Sequence, residues 1–133
     1  MDAQSEVLIA SADSRTRRTL ANILSQWGLE PIFCSTVSKA KAILARQAVP
    51  LVFCEDRLAD GSFRDLLSAT KLTKLKACVA VIFRSADGNG YLEAIQLGAF
   101  NAIRCSYCLG NVQRIIFQAM SGGHPNRLAW EIT

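Results

Sequence analysis

No stretch of this 133-residue chain is apolar for long enough to cross a bilayer: the longest uninterrupted run is Ala77-Cys-Val-Ala-Val-Ile-Phe83, and a span needs roughly 18 residues. The opening Met-Asp-Ala-Gln-Ser-Glu is acidic and polar, where a secretory leader would begin basic and turn apolar. A soluble, cytoplasmic protein is the expectation. Charge of one sign is also missing. Fifteen basic residues stand against eleven acidic ones, a net +4 and a pI near 9.0. The basic residues are scattered, apart from Arg15-Thr-Arg-Arg18 and the stretch 71–76, and no aromatics interleave with them. That pattern reads as a solvated surface, so direct binding of nucleic acid is not expected. Histidine is nearly absent; the single copy, His124, lies in a polar tail. A zinc site needs four ligands, and Cys34, Cys54 and Cys78 fall on strand-like runs, so no metal centre is expected. Five cysteines, an odd number, without a secretory leader read as reduced thiols.

What is there is a compact-domain composition: 50% hydrophobic, 20% charged. Mean hydropathy of +0.20 excludes a disordered chain. A chain of this length can bury roughly two-thirds of its unfolded surface, so neither disulfides nor metal are needed for folding. The organisation is one domain over residues 1–121, followed by a tail or the start of a linker over 122–133, where Ser-Gly-Gly-His-Pro-Asn sets in after Met120. Trp130 is the one large apolar residue of interest there.

Short apolar runs alternate with helical periodicity. Val7–Ala10 is a strand; Asp13 and Ser14 start a helix whose face is Leu20, Ile23, Leu24 and Trp27, stopped by Gly28. Pro31–Cys34 is a second strand. Ser35 or Thr36 caps a helix with the stripe Val37, Ala40, Ile43 and Leu44. Leu51–Cys54 reads as a strand buried on both faces, with turn residues Glu55, Asp56, Asp60 and Gly61 behind it and a short helix through Phe63, Leu66 and Leu67. Cys78–Phe83, the most apolar strand, is expected at the sheet centre. Asp87-Gly-Asn-Gly90 reads as a loop, then a helix carries Leu92, Ile95 and Leu97 to a stop at Gly98. Ala99–Arg104 is a weaker fifth strand. A last helix from about Asn111 to Met120 turns Val112, Ile115, Ile116 and Ala119 inward.

Five strand–helix units with short connections fold as a parallel sheet covered by helices on both sides. Function in such folds sits at the carboxyl ends of the strands. The residues to examine are therefore Ser11 to Asp13, Glu55 and Asp56, Ser85 and Ala86, and Arg104 to Ser106.

At these loops the chain resembles the receiver domains of bacterial two-component response regulators, the CheY-like family. The resemblance runs over about residues 5–121. Leu51-Val-Phe-Cys-Glu-Asp-Arg-Leu-Ala-Asp-Gly-Ser-Phe-Arg-Asp-Leu-Leu67 looks like the family's third strand, phosphoacceptor loop and following helix, with Leu58, Asp60-Gly61-Ser62 and Asp65-Leu66-Leu67 in register. Leu97-Gly-Ala-Phe-Asn-Ala-Ile103, Arg84-Ser85-Ala86 and Val7-Leu-Ile-Ala-Ser-Ala-Asp13 resemble the lead into strand five, the switch segment and the first acidic loop. The resemblance implies an α/β, flavodoxin-like doubly wound (βα)5 sandwich whose five parallel strands run in the order 2-1-3-4-5, and a role in signal transduction through a phosphorelay.

The departures from the family pattern concern chemistry. The family transfers a phosphoryl group to an aspartate, with acidic residues holding Mg²⁺ and a lysine pairing with phosphoryl oxygens, because charge on the transferring group must be neutralised by preorganised cations. Here Ser11 and Ala12 stand at the paired-acid positions and only Asp13 remains acidic. Glu55 stands at the acceptor position. Ser85 keeps the switch hydroxyl, Ala102 replaces the switch aromatic, and Cys105 stands where the lysine belongs. Mg²⁺ takes oxygen ligands including carboxylates, so its binding is expected to be weak or absent, and no cofactor is expected. A thiol is no substitute for a fixed ammonium. The expectation is an atypical pseudo-receiver, not an enzyme, independent of phosphorylation and acting through protein contacts.

Glu55, one methylene longer than aspartate, has two readings: a built-in phosphate mimic hydrogen-bonded by Ser85, or an idle acid in a decayed pocket. Asp56 as a displaced acceptor would need a one-residue slip of its strand. Asp13 reads first as a helix cap and second as a residual cation ligand. Cys105-Ser-Tyr-Cys108 is a C-x-x-C that reads either as small buried thiols or as a redox pair. The alternatives kept open are a still-phosphorylatable receiver with altered metal dependence and a thiol redox sensor through Cys105 and Cys108. Partners are expected to be an output domain or a second copy, met through the helix 4–strand 5–helix 5 face at Tyr91, Leu92, Arg104, Arg114 and Gln118, which otherwise reads as ordinary exposed surface.

Overall fold

The computed structural model describes residues 6–72, 77–84, 89–104 and 109–121. In chain order the elements are β1 (Glu6–Ala10), α1 (Ser14–Gln26), β2 (Glu30–Cys34), α2 (Val37–Arg46), β3 (Leu51–Glu55), β4 (Arg57–Leu58), β5 (Gly61–Ser62), α3 (Phe63–Leu72), β6 (Cys78–Phe83), α4 (Asn89–Gln96), β7 (Asn101–Arg104) and α5 (Leu109–Met120).

Five strands form one sheet in the order β2-β1-β3-β6-β7, every pairing parallel. The expected order 2-1-3-4-5 needs amendment in its numbering, because β4 and β5 form a two-residue antiparallel ladder inside the loop after β3. Of the turn residues expected there, Glu55 is the last residue of β3, Gly61 pairs with Leu58 in that ladder, and Asp56 and Asp60 lie on either side of β4. A second correction concerns the sheet centre. That place belongs to β3, between β1 and β6, and β6 lies one strand further out.

Strand side chains alternate between faces, and both faces of this sheet are covered. On one, Val7, Ile9, Leu51, Phe53, Ala80 and Ile82 pack with Leu20, Ile23 and Leu24 of α1 and with Val112, Ile115, Ile116 and Ala119 of α5. On the other, Leu8, Ala10, Val52, Cys54, Val79 and Val81 pack with Ala40, Ile43 and Leu44 of α2, Leu66 and Leu67 of α3 and Ala94 of α4. The continuous apolar runs of β1, β3 and β6 follow from this double coverage.

Helices α1 and α4 end alike. Beyond α1 the N–H of Leu29 reaches back to the carbonyl of Leu24 at 3.0 Å, across Gly28 at φ 72°. Beyond α4 the N–H of Ala99 reaches Ala94 at 2.9 Å, across Gly98 at φ 107°. Both are left-handed terminations that glycine makes without a Cβ clash. One side chain expected on an inner helix face points outward. Trp27 closes α1 as its C-cap and is exposed, with its ring 6.4 Å from that of Phe117. Leu92 is 61% exposed, and Ala94 takes the inner position on α4. Asn89 and Gly90, read as loop, form the first turn of α4. Among the described residues, no helix is long and apolar enough to cross a membrane.

Candidate functional site

Among the described residues, three of the four that are buried and polar or charged, Ser11, Thr16 and Glu55, gather at the carboxyl ends of β1 and β3 and the start of α1. The alternation of the strands places them. Along β1 the column Val7, Ile9, Ser11 faces one way; along β3 it is Leu51, Phe53, Glu55; along β6 it is Cys78, Ala80, Ile82 and then Arg84. Each column is apolar through the sheet and turns polar one step past its neighbours. Parallel register brings those polar ends together.

Glu55, 4% exposed, accepts a hydrogen bond from the Ser11 hydroxyl at 2.8 Å and one from Nη1 of Arg84 at 3.1 Å, both on Oε2. The Ser11 oxygen is itself fixed by the backbone N–H of Asp13 at 3.0 Å. Asp13 is the N-cap of α1. Its Oδ2 accepts from the N–H of Thr16 at 2.8 Å and from the Thr16 hydroxyl at 2.9 Å, the geometry of a capping carboxylate. Arg84 Nη1 lies 3.4 Å from the same Oδ2 and donates to the Thr16 hydroxyl oxygen at 3.2 Å. The bonds from Thr16, with Arg84 nearby, hold the Asp13 carboxyl below its ordinary range. Arg17 braces the β1 end by donating Nε to the Ser11 carbonyl at 2.7 Å, with its guanidinium over the Phe33 ring. Asp56 keeps β3 and β6 joined to the mouth, its N–H donating to the Ile82 carbonyl at 2.8 Å. The Arg84 N–H approaches Asp56 Oδ1 at 3.4 Å. An open cavity of about 480 Å³ next to Arg84 is lined by Asp56, Arg57, Phe63, Arg64, Phe83 and Gly90 as well.

The sequence-predicted positions separate under this geometry. Ser11, Asp13 and Glu55 come together; Ala12 is exposed and offers no polar atom from its side chain. Asp13 takes its capping role. Ser85 and Cys105, with Cys108, lie outside the described residues. Ala102 is buried on β7, in register with Val81 of β6. Tyr91 and Leu92 on α4, Arg104 at the end of β7 and Arg114 on α5 are exposed, and Gln118 is half-buried. Two apolar neighbours on α5 went unnoticed in the sequence, Leu109 and Phe117, 52% and 59% exposed. So did Thr16, while Arg84 reads in the sequence only as part of the switch segment, with no role at the site. The signal for Arg84 was legible: counting by two from Ala80 through Ile82 lands on it. The three described thiols, Cys34, Cys54 and Cys78, are free, and burial pushes all three upward, Cys54 to about 12.

The comparisons agree with this architecture. The receiver domain of the Francisella response regulator 1452 superposes with a TM-score of 0.79 at 10% identity, over 90% of this chain and 99% of that one. The beryllofluoride-activated NtrC4 receiver domain, solved as a dimer, gives 0.76 at 19% identity, over 87% and 93%. In sequence, the response regulator protein PilR of Pseudomonas aeruginosa is 24% identical over 123 residues. That match takes in 92% of this chain but only 28% of PilR, so the chain spans little more than a quarter of its relative. No family model matches the sequence. The chain has the fold of response-regulator receiver domains.

Proposed function

We propose that this chain is a receiver-like signalling module that works by protein–protein contact and not by carrying a phosphoryl group. The observation that carries the reading is the state of Glu55, the residue at the acceptor position. It is buried, and both hydrogen bonds seen on it, from Ser11 and Arg84, fall on a single oxygen. A carboxylate that attacks phosphorus must be reached in line by the phosphoryl donor, and needs cations preorganised around the transferring charge. Burial of Glu55 opposes the first, and the Arg84 guanidinium already seated on its Oε2 occupies the place of the second. Mg²⁺ in turn needs a near-octahedral shell of oxygens. Here the carboxylates of Asp13 and Glu55 share Arg84 Nη1, at 3.4 and 3.1 Å, and Ala12 supplies no ligand. The residues present do not fit the metal, and no cofactor is assigned.

On this reading the module is not an enzyme and acts in the cytoplasm. Its surface for an output domain or a second copy is the face made by α4, β7 and α5, where Tyr91, Leu92, Arg104 and Arg114 are exposed and Gln118 is half-buried. The dimer of the NtrC4 receiver is a precedent for self-association in this fold, and the greater length of PilR is a precedent for an attached output region. A phosphorylatable receiver with altered metal dependence is the nearest rival. Incubation with acetyl phosphate and Mg²⁺, followed by intact-mass measurement, decides between them: no mass change is expected, and a stable phosphate-sized gain overturns the reading. The thiol reading rests on Cys105 and Cys108, outside the described residues; none of the three described thiols is poised as a thiolate.

A further inference from the structure

We propose that Arg84 is the resident cation of this mouth: its guanidinium holds the seat between Asp13 and Glu55 that a divalent ion would need, and so latches the end of β6 to β1, β3 and the start of α1. The inference deepens the reading above and rests on it.

Four elements meet on one nitrogen. Arg84 Nη1 is 3.1 Å from Glu55 Oε2, 3.4 Å from Asp13 Oδ2 and 3.2 Å from Thr16 Oγ1. Those partners come from the end of β3, the loop after β1 and the first turn of α1. A carboxylate as buried as Glu55 is strongly disfavoured without a partner charge. Arg17 is placed differently, its Nε given to the Ser11 carbonyl, so Arg84 is the cation that the structure sets against Glu55. A guanidinium suits the post because it stays protonated and presents several donors in a plane. It differs from a metal ion in one decisive respect. It is covalently attached at the end of β6, so the seat is filled without any metal being bound, and the end of β6 leaves the mouth only by giving up all three contacts. The mouth of this module is therefore set in one arrangement by the chain itself.

The test is a double-mutant cycle on the full chain with R84Q, E55Q and the double variant, read by urea unfolding. Each single substitution is expected to lower the folding constant, and the double to lower it by at least about tenfold less than the product of the singles. A cycle that closes with less than about a twofold coupling overturns the latch. Should R84Q fail to fold, the double variant, which removes both charges, is expected to fold; a double variant that fails to fold as well overturns the latch. The seat itself is probed with Mn²⁺ alone, following paramagnetic broadening of the Ser11, Asp13 and Glu55 amides. Broadening is expected in R84Q and not in the unaltered protein. Equal broadening in both, or none in either, refutes the claim that Arg84 holds that place. A phosphate-sized mass gain on the unaltered protein would defeat the signalling reading and leave the coupling intact, so the two failures are distinguishable.

Discussion

Phe53 and Glu55 sit two residues apart on the same face of β3, and both are almost fully buried. Phe53 is surrounded by the apolar side chains of β1, β6, α1 and α5. Glu55, one step further along, is surrounded by a hydroxyl and a guanidinium. The same strand geometry thus serves two physical regimes. In the first, area removed from water stabilises and no partner is required. In the second, burial costs and every group must be matched. The most forceful way to break the comparison is Phe53→Ala. Emptying that site is expected to destabilise by about 3–5 kcal/mol in urea unfolding. A loss under about 1 kcal/mol would show that the neighbouring column closes over the gap, and that this region is not a tightly packed core.

Cys54 stands between them on the opposite face, against α2 and α3 side chains. Burial pushes its thiol up to about 12, against an ordinary 9.0. The difference, 12 − 9.0, means about a thousandfold less thiolate than an ordinary cysteine has at neutral pH. A disulfide-exchange reagent added to the folded protein should leave Cys54 unmodified for as long as the fold persists, with reaction appearing in urea. Peptide mapping after a timed quench reads this. Rapid modification of Cys54 in the native protein would mean that the β3 core opens far more readily than its packing implies.

The mouth also has a counterpart at a distance. Asp13 caps α1 from the adjacent residue, while Asp60, in the turn between β4 and β5, caps α2 through the N–H groups of Val37 and Ser38 at 2.7 and 3.0 Å. These N–H bonds hold both carboxyls below the ordinary 3.8. A depressed carboxyl contributes stability that is present above its unfolded value and lost as the pH falls through its folded one. The protein is therefore expected to lose stability below about pH 4. Asp13→Asn and Asp60→Asn should each lower the melting temperature by a few degrees at pH 6 and flatten the acid decline, while at pH 2 they should differ little from the parent. An unchanged acid profile in both variants would remove the caps as its source.

Much of this was legible in sequence, and the limits are physical. The helix stripes of α2 and α5 came out residue for residue, because a one-sided amphipathic period has one solution. The two-sided burial of β3 was equally plain from its unbroken apolar run. Trp27 misled because a large apolar residue at a helical spacing need not be covered; nothing local marks which face a neighbouring helix will reach. The ladder of Arg57 and Leu58 with Gly61 and Ser62 lay hidden because two-residue strands carry no periodicity; of the four, only Gly61 reads as turn. At the mouth, Ser11, Asp13 and Glu55 were found as deviations from a family pattern. Arg84 reads there only as part of the switch segment Arg84-Ser85-Ala86, with no role of its own; alternation along β6 puts it on the face of Ala80 and Ile82, and the register of three strands brings it to Glu55.

The smallest expected effect sharpens the comparison most. Arg64 on α3 and Glu93 on α4 form a two-pronged pair, with Nη2 to Oε1 at 2.6 Å and Nε to Oε2 beside it. Its geometry is better than that of Arg84 with Glu55, where the contact is 3.1 Å. Arg64 holds the Glu93 carboxyl below its ordinary range, and Glu93 raises Arg64 in return. Yet both side chains are open to water, 53% and 39% exposed, whereas in the mouth Arg84 is 46% exposed but its partner Glu55 only 5%. Water screens an exposed pair and offers each charge a ready alternative, so surface pairs contribute little even when well formed. Glu93→Gln is expected to move the urea midpoint only marginally, and less still as salt is raised, whereas Glu55→Gln should move it clearly. If Glu93→Gln were the more damaging of the two, geometry and not burial would govern the ion pairs of this protein, and the special standing given to the mouth would lose its basis.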